Sequence, residues 1–166
     1  MTVSQHDHRG DRAEGKQPYP LHAIQLVDLR VIELNLKANL DVEKDAPAGN
    51  FELGTGHGKY DQDTHRIQVK VSASLGQEDG SRAPFVLKVE LIGLFTVDPD
   101  RFPAEHVAKW ASTNAPLVLY PYLREQVYGI TSRAGFNATL LPLLEIPTFR
   151  LMQQPTGETK VVTTRE

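Results

Sequence analysis

The chain carries 166 residues with a formal net charge of -3, 40% hydrophobic and 23% charged residues, and no cysteine. That length suits one domain with a real core, and the composition is ordinary for a soluble globular protein. The missing cysteine excludes disulfides, thiol catalysis and thiolate metal sites; the lack of single-sign charge blocks leaves no basic patch for nucleic acid or an anionic membrane surface.

Met1 to Gln17 is polar and mixed in charge. It lacks the apolar stretch of a signal peptide, and no apolar run approaches the roughly 20 residues that span a bilayer. A cytoplasmic protein without direct membrane binding is expected. Residues 1–18 are rich in His, Asp, Arg, Gly and Gln and read as a disordered tail, 19–154 as one folded domain, and 155–166 as a second flexible tail.

The first predicted strand runs from Ile24 to about Leu40. Val27, Leu29 and Val31 share one phase, and Ile32, Leu34, Leu36, Ala38 and Leu40 take the other. Neighbours in a strand point to opposite faces, so the switch at Val31–Ile32 predicts a bulge or a strand covered on both faces. Asn50 to Tyr60 is a weaker strand, diluted by Gly54, Gly56 and Gly58. Ile67 to Leu75 alternates strictly. Asp79-Gly80 is a turn signal, and Phe85 to Val97 returns as the fourth strand, predicting a hairpin.

Asp98-Pro-Asp and Pro103 break the pattern, and Ala104 to Ser112 reads as a short helix. Asn114 stands before Ala115-Pro116 as an N-cap with proline near the first helical position. The long helix runs to about Ala134, with Arg133 where the dipole favours a cation and Gly135 at the left-handed C-terminal position. Leu140 to Met152 contains Pro142 and Pro147 and is expected to be mostly extended. Strands first and helices last give an α+β fold with an antiparallel sheet.

No catalytic motif emerges. Gly54-Thr-Gly-His-Gly-Lys59 resembles a phosphate loop, but Leu53 stands at the first glycine position and Tyr60 follows the lysine. The dinucleotide pattern fails at Lys59. His6 and His8 lie in a tail that gives no fixed metal geometry, and His57, His65 and His106 are scattered. Arg124 and Glu125, mid-helix, suit a salt bridge or subunit contact better than a site. Leu119, Leu123, Val127 and Ile130 form an apolar stripe, with Tyr120, Tyr128 and Phe136 beside it. One sheet and few helices cannot cover this much apolar surface, so part of it is expected between subunits or in a binding groove.

Tyr120, Pro121, Tyr122, Arg124, Glu125, Ser132, Arg133, Gly135 and Phe136 match the aromatic-Pro-Tyr-x-Arg-Glu run and Ser-Arg-x-Gly-Phe close of the SecB family of export chaperones, which the chain resembles. Ser72-Ala-Ser-Leu-Gly76, Gly93-Leu-Phe-Thr-Val97 and Ala115 to Tyr122 match further family segments in the same order. The resemblance spans about Ile24 to Phe149. It implies a four-stranded antiparallel sheet packed with a long helix, assembling as a dimer of dimers. It also implies a holdase without ATP, cofactor or catalytic site, binding unfolded or precursor polypeptides in apolar grooves. The groove is assigned to Val27, Leu29 and Val31 of the first strand and to Tyr120, Leu123, Val127 and Tyr128 of the helix, the elements with excess apolar surface.

Three departures qualify the resemblance. The connection between the first and third strands is short, the second helix expected after Phe149 is short or absent, and the acidic surface that docks the motor SecA is depleted. Val31, Asn35 and Gln77 stand where acids are expected, leaving Glu78 and Asp79 for partner docking. This argues against coupling to SecA. The Tyr-Pro-Tyr-Leu-Arg-Glu-x-Val-Tyr run also resembles SecB-like chaperones of toxin–antitoxin systems, so a dedicated chaperone for one partner such as an antitoxin is the alternative within the mechanism. Outside it stand a purely structural oligomer and a small lipid- or thioester-binding protein, for which Glu125 or Asp28 would have to serve without a motif.

Overall fold

A computed structural model describes residues 19–77, 82–145, 148–153 and 159–164. Strands β1 (Ile24–Ala38), β2 (Phe51–His57), β3 (Arg66–Leu75) and β4 (Phe85–Val97) form one antiparallel sheet in the order β1-β4-β3-β2. The predicted hairpin is present, with Leu75 opposite Leu87; its expected turn at Asp79-Gly80 lies outside the described residues, as does the expected tail at 1–18.

The phase switch in β1 has its cause in two register shifts against β4, between Leu26 and Asp28 and between Val31 and Glu33. Ile32 is the extra residue of the second, so the predicted bulge is there, and Val27 is that of the first. Each bulge resets the alternation. Ile24, Leu26, Leu29, Val31, Leu34 and Leu36 therefore all face the same side as Val97, Phe95, Gly93, Leu91, Val89 and Leu87.

That side of the sheet packs under the helices. A 3-10 turn at Ala104–His106 leads into α1 (Val107–Thr113), and α2 (Ala115–Arg133) follows after Asn114. Pro116 sits in the first turn of α2, but the Asn114 side chain makes no cap; its Oδ1 accepts from the Thr113 hydroxyl instead. At the other end Gly135 has φ 83°, its N–H donates to Ser132 and that of Phe136 to Thr131, so two otherwise orphaned carbonyls are satisfied. Phe136 then packs on Phe85, ring centroids 4.9 Å apart.

Leu119, Leu123 and Val127 are fully buried against the sheet, as the stripe predicted. The close approach depends on Gly93: a Cβ there would lie 2.6 Å from Leu119 Cδ2 and 3.0 Å from Leu26 Cδ1. The opposite face of the sheet is mixed, with Val86, Ile92 and Leu94 among its polar residues, and carries the chain Lys70–Glu90–Lys88–Glu33.

After Phe136 no second helix appears in the described residues. Thr148–Gln153 is strand β5, paired antiparallel with β6 at Thr159–Thr164. The stretch expected as a flexible tail thus contributes a strand, because its Thr and Val residues suit a pleated backbone.

Candidate functional site

The helices cover the sheet unevenly. Helix α2 lies over β3 and β4, and the outer strand β1 projects beyond it, leaving Val31 at 45% and Leu34 at 43% exposure although both face the helix side. On the flank of α2 toward β1, Val118 and Tyr122, one turn apart, are similarly open at 43% and 45%. At the start of β1 this gap deepens into a cleft of 540 Å3 lined by Leu26 from β1, Phe95 from β4, Trp110 from α1 and Leu117, Val118 and Tyr122 from α2. Phe95 meets Trp110 edge-on at 5.1 Å, which fixes the indole as a wall. His22, Gln25 and Asn114 supply a polar rim.

The predicted site residues separate into two groups. Leu29 is half-buried and packs on the core, and Val31 lies on the open strip. Val27 is 50% exposed but is a bulge residue with no register partner. On the helix, Leu123 and Val127 are fully buried and Tyr120 is 6% exposed, while Tyr128 is 50% exposed. Three of the four helix positions thus lie beneath the surface. Stripe spacing selects residues facing the sheet, whereas the open lining belongs to Val118 and Tyr122, at the edge of that stripe.

Val31 also changes role. The sequence reading sets it among the acid-depleted positions of the docking face, but its register opposite Leu91 puts it on the helix side. Asn35, opposite Lys88, does lie on the helix-free face. Glu78 and Asp79 lie outside the described residues. Among the described residues that face carries the cations Arg30, Lys37, Arg66, Lys70 and Lys88 and the carboxylates Asp28, Glu33, Glu52 and Glu90. Glu90 is held below its ordinary range, chiefly by its hydrogen bond from Lys70, and Lys88 is raised chiefly by its bond to Glu33. Five cations stand against four carboxylates, and Lys70, Glu90, Lys88 and Glu33 pair in one network.

Tyr120 has a different task. Its hydroxyl donates to the carbonyl of Pro142, and Arg124 Nε donates to that of Leu141 at 2.9 Å. Burial pushes the phenol above its ordinary range, opposed by the nearby guanidinium.

The family model for the preprotein translocase subunit SecB matches residues 15–154. The chain belongs to the SecB family. The protein-export protein SecB of Azoarcus sp. is 28% identical over 148 residues, covering 87% of this chain and 94% of its own length. That of Nitrosomonas europaea is 26% identical over 127 residues, with 75% and 78% covered. Among solved structures, a SecB-like chaperone of Mycobacterium tuberculosis, Rv1957, in complex with a ChAD peptide from the HigA1 antitoxin, shares the fold with a TM-score of 0.60 at 22% identity, covering 76% of this chain and 94% of its own. As a SecB protein the chain is a chaperone of protein export that holds polypeptides, not an enzyme. No helix among the described residues is long and apolar enough to cross a membrane.

Proposed function

We propose that this SecB protein is an ATP-independent cytoplasmic holdase that takes unfolded or precursor polypeptides into the cleft beside Trp110 and along the strip of Leu29, Val31, Leu34, Val118 and Tyr122. The observation that carries it is the run of half-exposed aliphatic and aromatic side chains between β1 and α2. Burial without directional contacts gives low sequence specificity. Several such strips on one oligomer would bind many weak segments at once. The free edge of β1, with Val27, Val31, Ile32 and Leu34 exposed, supports assembly with further copies, as a dimer of dimers. With five cations against four carboxylates among the described residues, the helix-free face supports no docking of SecA through an acidic surface there, leaving Glu78 and Asp79 as the acidic contact for a partner.

The test is light scattering of an unfolded, aggregating client with and without the chain, on material whose mass is fixed by multi-angle scattering. A tetramer that suppresses aggregation is expected; a monomer without effect overturns the reading.

A second reading, a dedicated chaperone for an antitoxin, is favoured by the peptide on the M. tuberculosis SecB-like structure and by a sheet face that is not acidic among the described residues. A client range narrowed to one partner in the same assay would distinguish it.

A further inference from the structure

The segment after α2 turns back along the helix. Residues 137–145 run antiparallel to α2 without regular structure, held by three of its side chains. The Thr131 hydroxyl accepts from the Thr139 N–H at 2.9 Å, Arg124 Nε donates to the Leu141 carbonyl, and the Tyr120 hydroxyl donates to that of Pro142. All three bonds go to main-chain groups, and none reads a side chain. The segment inserts Leu141, at 1% exposure, and rests Leu144 on the core. Leu140 and Leu143 stand out at 63% and 81%. Inward and outward positions repeat every three residues, the period of a polyproline II chain. At 100° per residue, Tyr120 and Arg124 lie about 200° around the helix from Val118 and Tyr122, so this flank is separate from the cleft.

An extended backbone held by consecutive carbonyls, with one leucine buried, is what an unfolded chain can offer any receptor. We propose that this flank of α2 is a second polypeptide-binding site, selective for extended leucine-rich segments and occupied in cis by residues 139–144. A client of the same chemistry displaces the strap, placing an apolar side chain where Leu141 sits and its carbonyls on Arg124 and Tyr120. The inference rests on the holdase reading and adds a self-occupied site to it. Covalent attachment gives the strap a high effective concentration, so only strongly apolar clients compete.

The probe is a fluorescent peptide with the sequence of residues 138–145, titrated into the full chain. Leu141→Ala weakens the occupant without touching the receptor, so the variant should bind the peptide about tenfold or more tightly than the unaltered chain. Adding Arg124→Ala to Leu141→Ala should remove that gain. A purely structural strap gives the opposite sign, with Leu141→Ala binding no better, and that result overturns the proposal. Because Leu141→Ala removes core volume, the unaltered chain supplies a second reading. Saturating peptide should accelerate hydrogen exchange at the Thr139 amide, and unchanged exchange overturns the proposal equally. Aggregation suppression by the unaltered chain reports the holdase activity separately, so a chain that suppresses aggregation but fails both tests loses this site alone.

Discussion

At the residue scale, single atoms set how closely the layers approach. Gly93 is the clearest case, since a methyl group there enters space held by Leu119 and Leu26. Overpacking of this kind costs about 1–3 kcal/mol. Gly93→Ala should lower the urea midpoint accordingly, while Ala at the open Gly56 should leave the packing intact. Tyr122 is the counterpart at the surface. It is 45% exposed and lines the cleft, so Tyr122→Asp should weaken client binding, read by fluorescence anisotropy of an unfolded peptide, without lowering the melting temperature. Equal affinity in the variant would remove Tyr122 from the lining. Stripe spacing in the sequence pointed to Tyr120, Leu123 and Val127; it finds the buried face of a helix and passes over residues at its edge.

At the scale of elements, β1 shows how a strand keeps an irregular sequence in register. Two bulges hold six apolar residues on one face, and the second was legible from the phase switch at Val31–Ile32. The first was not, because Val27 shares its phase with Leu29 and only pairing with β4 reveals the shift. On the other face Glu33 of β1, Lys70 of β3 and Lys88 and Glu90 of β4 form one network. The Glu90 carboxyl is held below its ordinary value of 4.5. Its contribution to stability is therefore full above that value and lost as pH falls through its lowered value. Lys88 is raised above 10.5, so its contribution is full below that value and lost as pH rises through its raised value. Between these limits the network should hold constant. Urea midpoints of Glu90→Gln and the unaltered chain should differ at neutral pH and converge as pH falls through the lowered value of Glu90; a difference that persists in acid would mean that the network acts through packing instead. The effect should be small and shrink with salt, since these pairs are solvent-facing.

At the scale of the whole molecule, one antiparallel sheet is covered by helices over β3 and β4 and left open at β1. The uncovered strip and the free edge are the surfaces on which holding and assembly are proposed. The order β1-β4-β3-β2 puts the first and longest strand at the border, away from the centre of the core. A chain whose longest strand lies at the edge, with valine and leucine exposed, invites partners.

The sequence by itself determined the four strands of the main sheet, the long helix, the β3–β4 hairpin, the helix C-terminus at Gly135 and the family, because these follow from local periodicity, backbone preference and motif order, whereas the β5–β6 pair escaped it. The tertiary structure decided which apolar residues are core and which are open. It also decided that Tyr120 and Arg124 hold the segment around Leu141 and that Lys70, Glu90, Lys88 and Glu33 meet in one ion-pair chain. Those properties depend on which residues from distant parts of the chain meet. Periodicity tells which way a side chain points on its own element, and only packing tells whether another element lies there to cover it.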